Sequence, residues 1–235
     1  MSDSFSTRAI LLDIEGTTTP IAFVHDVLFT YARTHVRDYL LHHAHELATD
    51  VTQLREEHAR DIASGAQPPT ITSDLTTYVH WLIDRDRKST GLKSLQGKIW
   101  REGYMAGTLK SQVFTDVRPA FEHWNDDGVN TSIFSSGSAL AQQLLFAHTE
   151  DSDLTKFISD YFDTNIGAKG EAESYRRIAT KMNLDTNEIL FVSDVVTELE
   201  AAMAAGMQTR LSIRPGNPPQ PDPDRFQIIH TLNEI

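Results

Sequence analysis

Ala9-Ile10-Leu11-Leu12-Asp13-Ile14-Glu15-Gly16-Thr17-Thr18-Thr19 is the stretch that decides the fold. Four apolar residues run into an acid, a second acid follows two positions on, and a glycine and three threonines come next. A short apolar run bounded by turn residues is the pattern of a strand buried on both faces, as in a parallel sheet. In open α/β sheets, ligands meet the carboxyl ends of such strands. Asp13 is therefore expected at a functional edge. Gly16 lets the backbone leave the strand sharply. Two acids at alternate spacing can meet a divalent cation and a phosphate in two different roles.

Outward from this strand, the chain changes texture twice. Over 24–47, Val24, Val27, Leu28, Tyr31, Val36, Tyr39, Leu40 and Leu47 roughly follow a helical period. Residues 64–70 read as a loop, and helical patterns follow at 73–85 and 92–109. From 115 onward helix and strand alternate. Helices are expected at 117–126, 138–148 (capped by Ser138), 171–182 and 197–205 (closed by Gly206). Strands are expected at 129–135, 161–163, 189–193 and 209–213, and the five prolines of 215–223 mark a surface loop. One strand, a wholly helical stretch and then βαβα predict an α/β protein: a Rossmann-like parallel-sheet core, residues 1–22 and 112–235, with a helical cap domain, residues 23–111, inserted after strand one.

Composition narrows the partners. The 235 residues hold 40% hydrophobic residues and no cysteine, which excludes disulfides and thiolate zinc sites and fits a reducing cytoplasm. No apolar run approaches the ~18 residues of a membrane helix, and residues 1–6 show no secretory signal. The net charge of −12 argues against nucleic-acid and membrane partners. Its distribution is uneven: residues 21–112 hold 11 basic and 11 acidic residues, so the remainder carries the whole excess. An acidic core that accepts an anionic substrate needs local positive charge from a metal ion or a lysine.

Four places in the core carry candidate chemistry. Asp13 and Glu15 form an acid pair able to supply a nucleophile and a proton shuttle. Ser135 and Ser136, in Ile133-Phe134-Ser135-Ser136-Gly137-Ser138, offer hydroxyls and amides to phosphate at a strand-to-helix turn. Lys169, between glycines before a helix, can reach a phosphate or a carboxylate as a point charge. Asp194 ends the apolar run Leu190-Phe191-Val192-Ser193, on the same sheet edge as Asp13, so the two can share Mg²⁺. Glu198, one helical turn on, reads either as orienting metal-bound water or as a first-turn acid answering the helix dipole. His42 and His45 share a helix face, but with no carboxylate shell in view they read as solvated.

Acid pair, hydroxyl, lysine and acid, in that order, resemble the haloacid dehalogenase-like hydrolases over nearly the whole chain. Within them, residues 13–24 (DIEGTTTPIAFV) resemble the enolase-phosphatase E1 family of methionine salvage, as do Ser135-Ser136-Gly137-Ser138, Leu144-Leu145-Phe146, Phe162-Asp163-Thr164, Glu173-Ser174-Tyr175-Arg176 and Arg214-Pro215-Gly216-Asn217. The first block is the most specific, because most of the superfamily has aspartate where Glu15 stands. Ser193 departs from the threonine expected before the metal aspartate. The resemblance implies one Mg²⁺ per chain, held by the carboxylates of Asp13 and Asp194 and the backbone carbonyl of Glu15. It implies substrate contacts from Ser135, Ser136 and Lys169, with Asp13, Glu15 and Lys169 catalytic. It implies enolisation of a phosphorylated methylthio-diketone followed by phosphate hydrolysis.

The superfamily's usual course has Asp13 attack phosphorus. Direct attack by water is the alternative for this family, and Glu15 is one candidate for the enolising base. The helical insertion would be a cap that excludes water. A cytoplasmic monomer acting on a small molecule is expected. The competing readings are an Mg²⁺-dependent phosphatase of another small monoester, a dehalogenase, and a binding protein without turnover. Retention of Asp13, Lys169 and Asp194 argues against the last of these.

Overall fold

A computed structural model describes residues 7–71, 74–87, 89–150 and 152–235. The chain divides into two compact units, one of Met1–Val24 with Lys110–Ile235 and one of His25–Leu109. The first carries a six-stranded sheet in the order β3-β2-β1-β4-β5-β6, every pair parallel. The strands are β1 (Ala9–Leu12), β2 (Asn130–Phe134), β3 (Ile158–Phe162), β4 (Ile189–Ser193), β5 (Gln208–Ser212) and β6 (Ile228–Ile229). All residues of β1 and β4 are buried, as central strands covered on both faces must be. Ala9 and Leu11 pack with Tyr175, Ile178, Phe191 and Leu199, while Ile10 and Leu12 are equally buried on the alternate side.

From β1 the chain builds β2 and β3 to one side and β4, β5 and β6 to the other. The strand order therefore reverses between β1 and β4, the kind of switch point at which α/β sheets open a crevice. The helices of this unit, numbered after the four of the inserted stretch, are α5 (Val117–Asp126), α6 (Ala139–Ala147), α7 (Ala172–Met182) and α8 (Val196–Ala205). α5 buries Val117, Ala120, Phe121 and Trp124, one helical stripe, and packs on β2. Ser138 caps α6 by accepting from the Ala141 amide, and Gly206, at φ 99°, ends α8.

The second unit is helical: α1 (Thr30–His42), α2 (Ala48–Ala63), α3 (Thr76–Ile83) and α4 (Thr90–Met105), with α4 packed against the other three. Several boundaries differ from expectation. The single helix of 24–47 is a π-helical turn, Phe23–Phe29, leading into α1, which stops at His42. α2 stands apart and was not separated by pattern, because only Asp50, Leu54 and Asp61 of its residues are buried. α4 ends at Met105, short of 109, with Gly107 at φ 71°. β3 starts at Ile158, three residues early, and the two-residue β6 was not foreseen. Residues 1–6 and Ser73, the expected start of α3, lie outside the described residues.

Candidate active site

Strand register brings the candidates together. Leu12 pairs with Ile133 on one side and Val192 on the other, and Phe134 pairs with Phe162. The residues that leave the sheet at its carboxyl edge are thus Asp13 after β1, Ser135 after β2 and Asp194 after β4. The Asp13 amide donates to Val192 O at 3.0 Å, which keeps Asp13 in register to the last. Beyond it the backbone folds back at once: Gly16 N donates to Thr19 O at 2.8 Å, and Gly16 has φ 67°. Glu15 is half-buried within this turn.

One cation stands among the carboxylates. Lys169 Nζ lies 2.7 Å from Asp13 Oδ1 and 2.6 Å from Glu198 Oε2, with its side chain only 10% exposed. Asp13 Oδ1 also accepts from the Ile14 amide at 2.7 Å. The Ser193 hydroxyl lies 3.2 Å from Asp13 Oδ2 and 3.0 Å from Glu198 Oε2, and its single proton serves one of them at a time. Tyr175 holds the lysine's own backbone, donating its buried hydroxyl to Lys169 O at 2.7 Å.

Burial and mutual repulsion dominate the electrostatics. Asp194, 4% exposed, is pushed up to about 7 by burial and then by the Asp13 carboxylate, against the pull of Lys169. Glu198 is likewise pushed up to about 7 by burial and by Asp13, while Lys169 and the Ser193 hydroxyl pull it down. Burial lowers Lys169, but Asp13 and Glu198 outweigh it and hold the ammonium above its ordinary pKa.

The serine turn adjoins this cluster in the sheet. The Ser135 amide donates to Phe162 O at 3.1 Å, and Ser135 Oγ accepts from the Gly137 amide at 3.2 Å. Gln142 Nε2 ties Gly137 O and Phe162 O together, both at 2.8 Å, so the turn is fixed to β3. Ser136 is half-buried beside it. All the residues singled out in the core thus lie along one sheet edge. His42 instead bonds its own helix, Nδ1 to Asp38 O at 2.8 Å, and His45 is exposed.

Residues 7–206 match the model of the haloacid dehalogenase-like hydrolases. Enolase-phosphatase E1 of Synechococcus elongatus is 50% identical over 98% of this chain and 98% of its own length. Its counterpart in Sorangium cellulosum is 48% identical over 89% of each. The chain belongs to the enolase-phosphatase E1 family. Among solved structures, the UTR4 protein of Saccharomyces cerevisiae superposes with a TM-score of 0.80 at 33% identity, over 98% of this chain and 100% of that one. Membership makes this chain a phosphatase of the haloacid dehalogenase-like class.

The site of this enolase-phosphatase family member has the chemistry of a hard-cation site. Among the described residues, no three His, Cys, Asp or Glu side chains could hold a metal together. The two acids that follow β1 and β4, Asp13 and Asp194, offer carboxylate oxygens at this edge. Oxygen donors suit a small divalent ion, and three carboxylates facing one lysine leave negative charge for it to balance. Space is kept by Gly16, where a Cβ would lie 2.6 Å from Asp194 Cγ and 2.9 Å from Asn217 Oδ1. Asn217 was quoted in the sequence only as part of a motif, and the pairing of Glu198 with Lys169 was not foreseen. An acid one turn into a helix after a strand-end aspartate was the only signal for Glu198.

Proposed function

We propose that this chain enolises 2,3-diketo-5-methylthiopentyl-1-phosphate and then hydrolyses its phosphate ester, yielding phosphate and the acireductone 1,2-dihydroxy-3-keto-5-methylthiopentene. Family membership supports the reaction class. The observation that carries the site is Lys169 seated between Asp13 and Glu198, 2.7 and 2.6 Å away, beside Asp194 at the switch point of the sheet.

One Mg²⁺, the usual cation of these hydrolases, would be held by Asp13, Asp194 and the Glu15 carbonyl, and when bound it offsets the repulsion between phosphate and carboxylates. Lys169 adds a fixed positive charge for phosphate oxygens, in a buried setting where such charge acts strongly. Ser135 and Ser136 hold the phosphate through hydroxyls and amides. Glu15 takes the proton from the carbon beside the ketone, and the ketone oxygen becomes the enol hydroxyl. In hydrolysis, water oxygen bonds to phosphorus, the ester P–O bond breaks and the leaving oxygen takes a proton. Asp13 is assigned to anchoring, with its Oδ1 accepting from Ile14 N and Lys169, and water is assigned the attack on phosphorus. Trapping a phospho-aspartate at Asp13 would refute that part.

The helical stretch of residues 23–111 is assigned the role of cap domain from its insertion point after β1. Action as a monomer in the cytoplasm completes the reading. Among the described residues no helix is long and apolar enough to cross a membrane. The test is turnover of the diketone phosphate with and without Mg²⁺, following enol absorbance and phosphate release separately. Enol formation followed by Mg²⁺-dependent phosphate release is expected. Phosphate release from ordinary monoesters with no reaction of the diketone would remove the assigned substrate.

A further inference from the structure

The turn that carries Glu15 and Gly16 is held from outside by a segment with no role in the scheme above. After β5, Arg214-Pro215-Gly216-Asn217 makes a tight turn, with Asn217 N donating to Arg214 O at 3.1 Å and Gly216 at φ 91°. Arg214, 5% exposed, anchors it. Its guanidinium donates to Thr17 O at 3.2 Å, to His230 O at 2.6 Å and to Asp116 Oδ2 at 2.7 Å. Asn217 Nδ2 donates to Gly16 O at 2.9 Å and to Ser212 O at 3.2 Å.

Those two bonds fix which way the amide faces. Its nitrogen is committed to two carbonyls, so its oxygen must point the other way. Asn217 Oδ1 is buried and has no hydrogen-bond partner among the described residues. It borders the same small space above Gly16 as the Asp194 carboxyl, since a Cβ at Gly16 would meet both. Asn217 Oδ1 is thus a buried acceptor without a donor on the side of Gly16 that Asp194 also borders, and a buried acceptor left unpaired is costly. Water on a cation held by Asp194 would supply that donor.

We propose that Asn217 is a positioning residue of the metal site. Its amide nitrogen sets the Gly16 turn, and its amide oxygen receives a hydrogen bond from the hydration shell of the cation held by Asp13 and Asp194. The inference rests on the Mg²⁺ reading given above. Outer-shell groups of this kind orient the ligands and tune affinity.

Calorimetric titration of Mg²⁺ into the full chain tests it. In Asn217→Ala the Mg²⁺ dissociation constant is expected to rise about 10–100-fold. The metal-free variant should remain folded, with its melting midpoint lowered by loss of the two bonds from the amide nitrogen. Ser212→Ala removes the other side-chain donor to Gly16 O, 3.3 Å away, and leaves the amide oxygen in place; its dissociation constant should stay near wild type. Asn217→Ser keeps a turn-compatible polar residue and is read instead if the alanine variant does not fold. Its hydroxyl cannot span both carbonyls and still face Asp194, so the same weakening is expected. Wild-type affinity in a folded Asn217 variant, or equal weakening in Ser212→Ala, overturns the inference and leaves the Mg²⁺ reading standing. Failure of the wild-type chain to bind Mg²⁺ at all overturns both.

Discussion

Both units of this chain bury carboxylates, and they treat them in opposite ways. In the helical unit, Asp61 accepts from Tyr78 Oη and from Arg87, both at 2.8 Å, and Asp50 pairs with Lys98. Glu57 takes the Ser89 hydroxyl and faces Arg87 at 3.7 Å. Each acid there has a cation or a donor of its own. At the edge of the sheet, Asp13, Asp194 and Glu198 share Lys169 alone among the charged partners described. Removing one partner of a matched buried charge is costly to the fold, whereas an unmatched cluster holds repulsion that a bound cation can relieve. The core contains the matched kind too, in Arg214 with Asp116, and there it props the turn after β1 through Thr17 O.

The comparison breaks most directly at the lysine. Lys169→Met removes the cation that pairs with Asp13 and Glu198, and phosphate release from the diketone phosphate should fall about 10²–10³-fold. Steady-state kinetics on the folded variant checks this, and a fall confined to KM would contradict the electrostatic role. The matched network should behave in reverse. Asp61→Ala strands Arg87, 38% exposed, and the buried Tyr78 hydroxyl. It should cost about 2 kcal/mol of stability in a denaturant titration, because solvent reaching the arginine softens the loss. Its turnover number should not change.

Acidity separates the two units further. Asp194 and Glu198 are raised from the ordinary carboxylate range to about 7. The folded, metal-free chain therefore holds extra protons, and these two acids oppose folding increasingly as pH rises from about 4 to 7. In the helical unit Asp74 is lowered by the Thr76 hydroxyl and Asp84 by Arg33. Those two favour folding above pH 3.8, and their contribution is lost as pH falls through their folded values. Denaturant titrations of chelated protein should show stability falling between about pH 4 and 7, with added Mg²⁺ restoring most at the alkaline end. A restoration independent of pH would break the contrast. The smallest effect is expected away from charge altogether. Ser138→Ala deprives Ala141 N of its cap and should cost about 1 kcal/mol without touching the Mg²⁺ constant, as calorimetry would show.

Legibility in the sequence followed range along the chain. β1 and β4 were readable because an apolar run into an acid is a local signal, and α8 because Gly206 marks its end. Asp13, Ser135 and Asp194 were placed on one edge by the rule that parallel strands point one way. α2 was not separated, since a helix with three buried residues has little periodicity to show. β6 is two residues beyond a five-proline loop and exists only by pairing with β5. Ser193 against Asp13 spans 180 positions, and Asn217 against Gly16 spans 201. Contacts of that kind follow from the assembled sheet and leave no periodic mark in the sequence. Glu198 was readable only as a helix-dipole acid until the sheet set it on Lys169.

Both halves of the proposed reaction depend on the unmatched acids at the sheet edge, of which Asp13 and Asp194 would hold the Mg²⁺. Asp194→Asn, assayed with the diketone phosphate and Mg²⁺ in separate enol and phosphate channels, tests it most directly. The account predicts that both signals disappear while the protein remains folded. Enol formation and phosphate release at wild-type rates in this variant would contradict it.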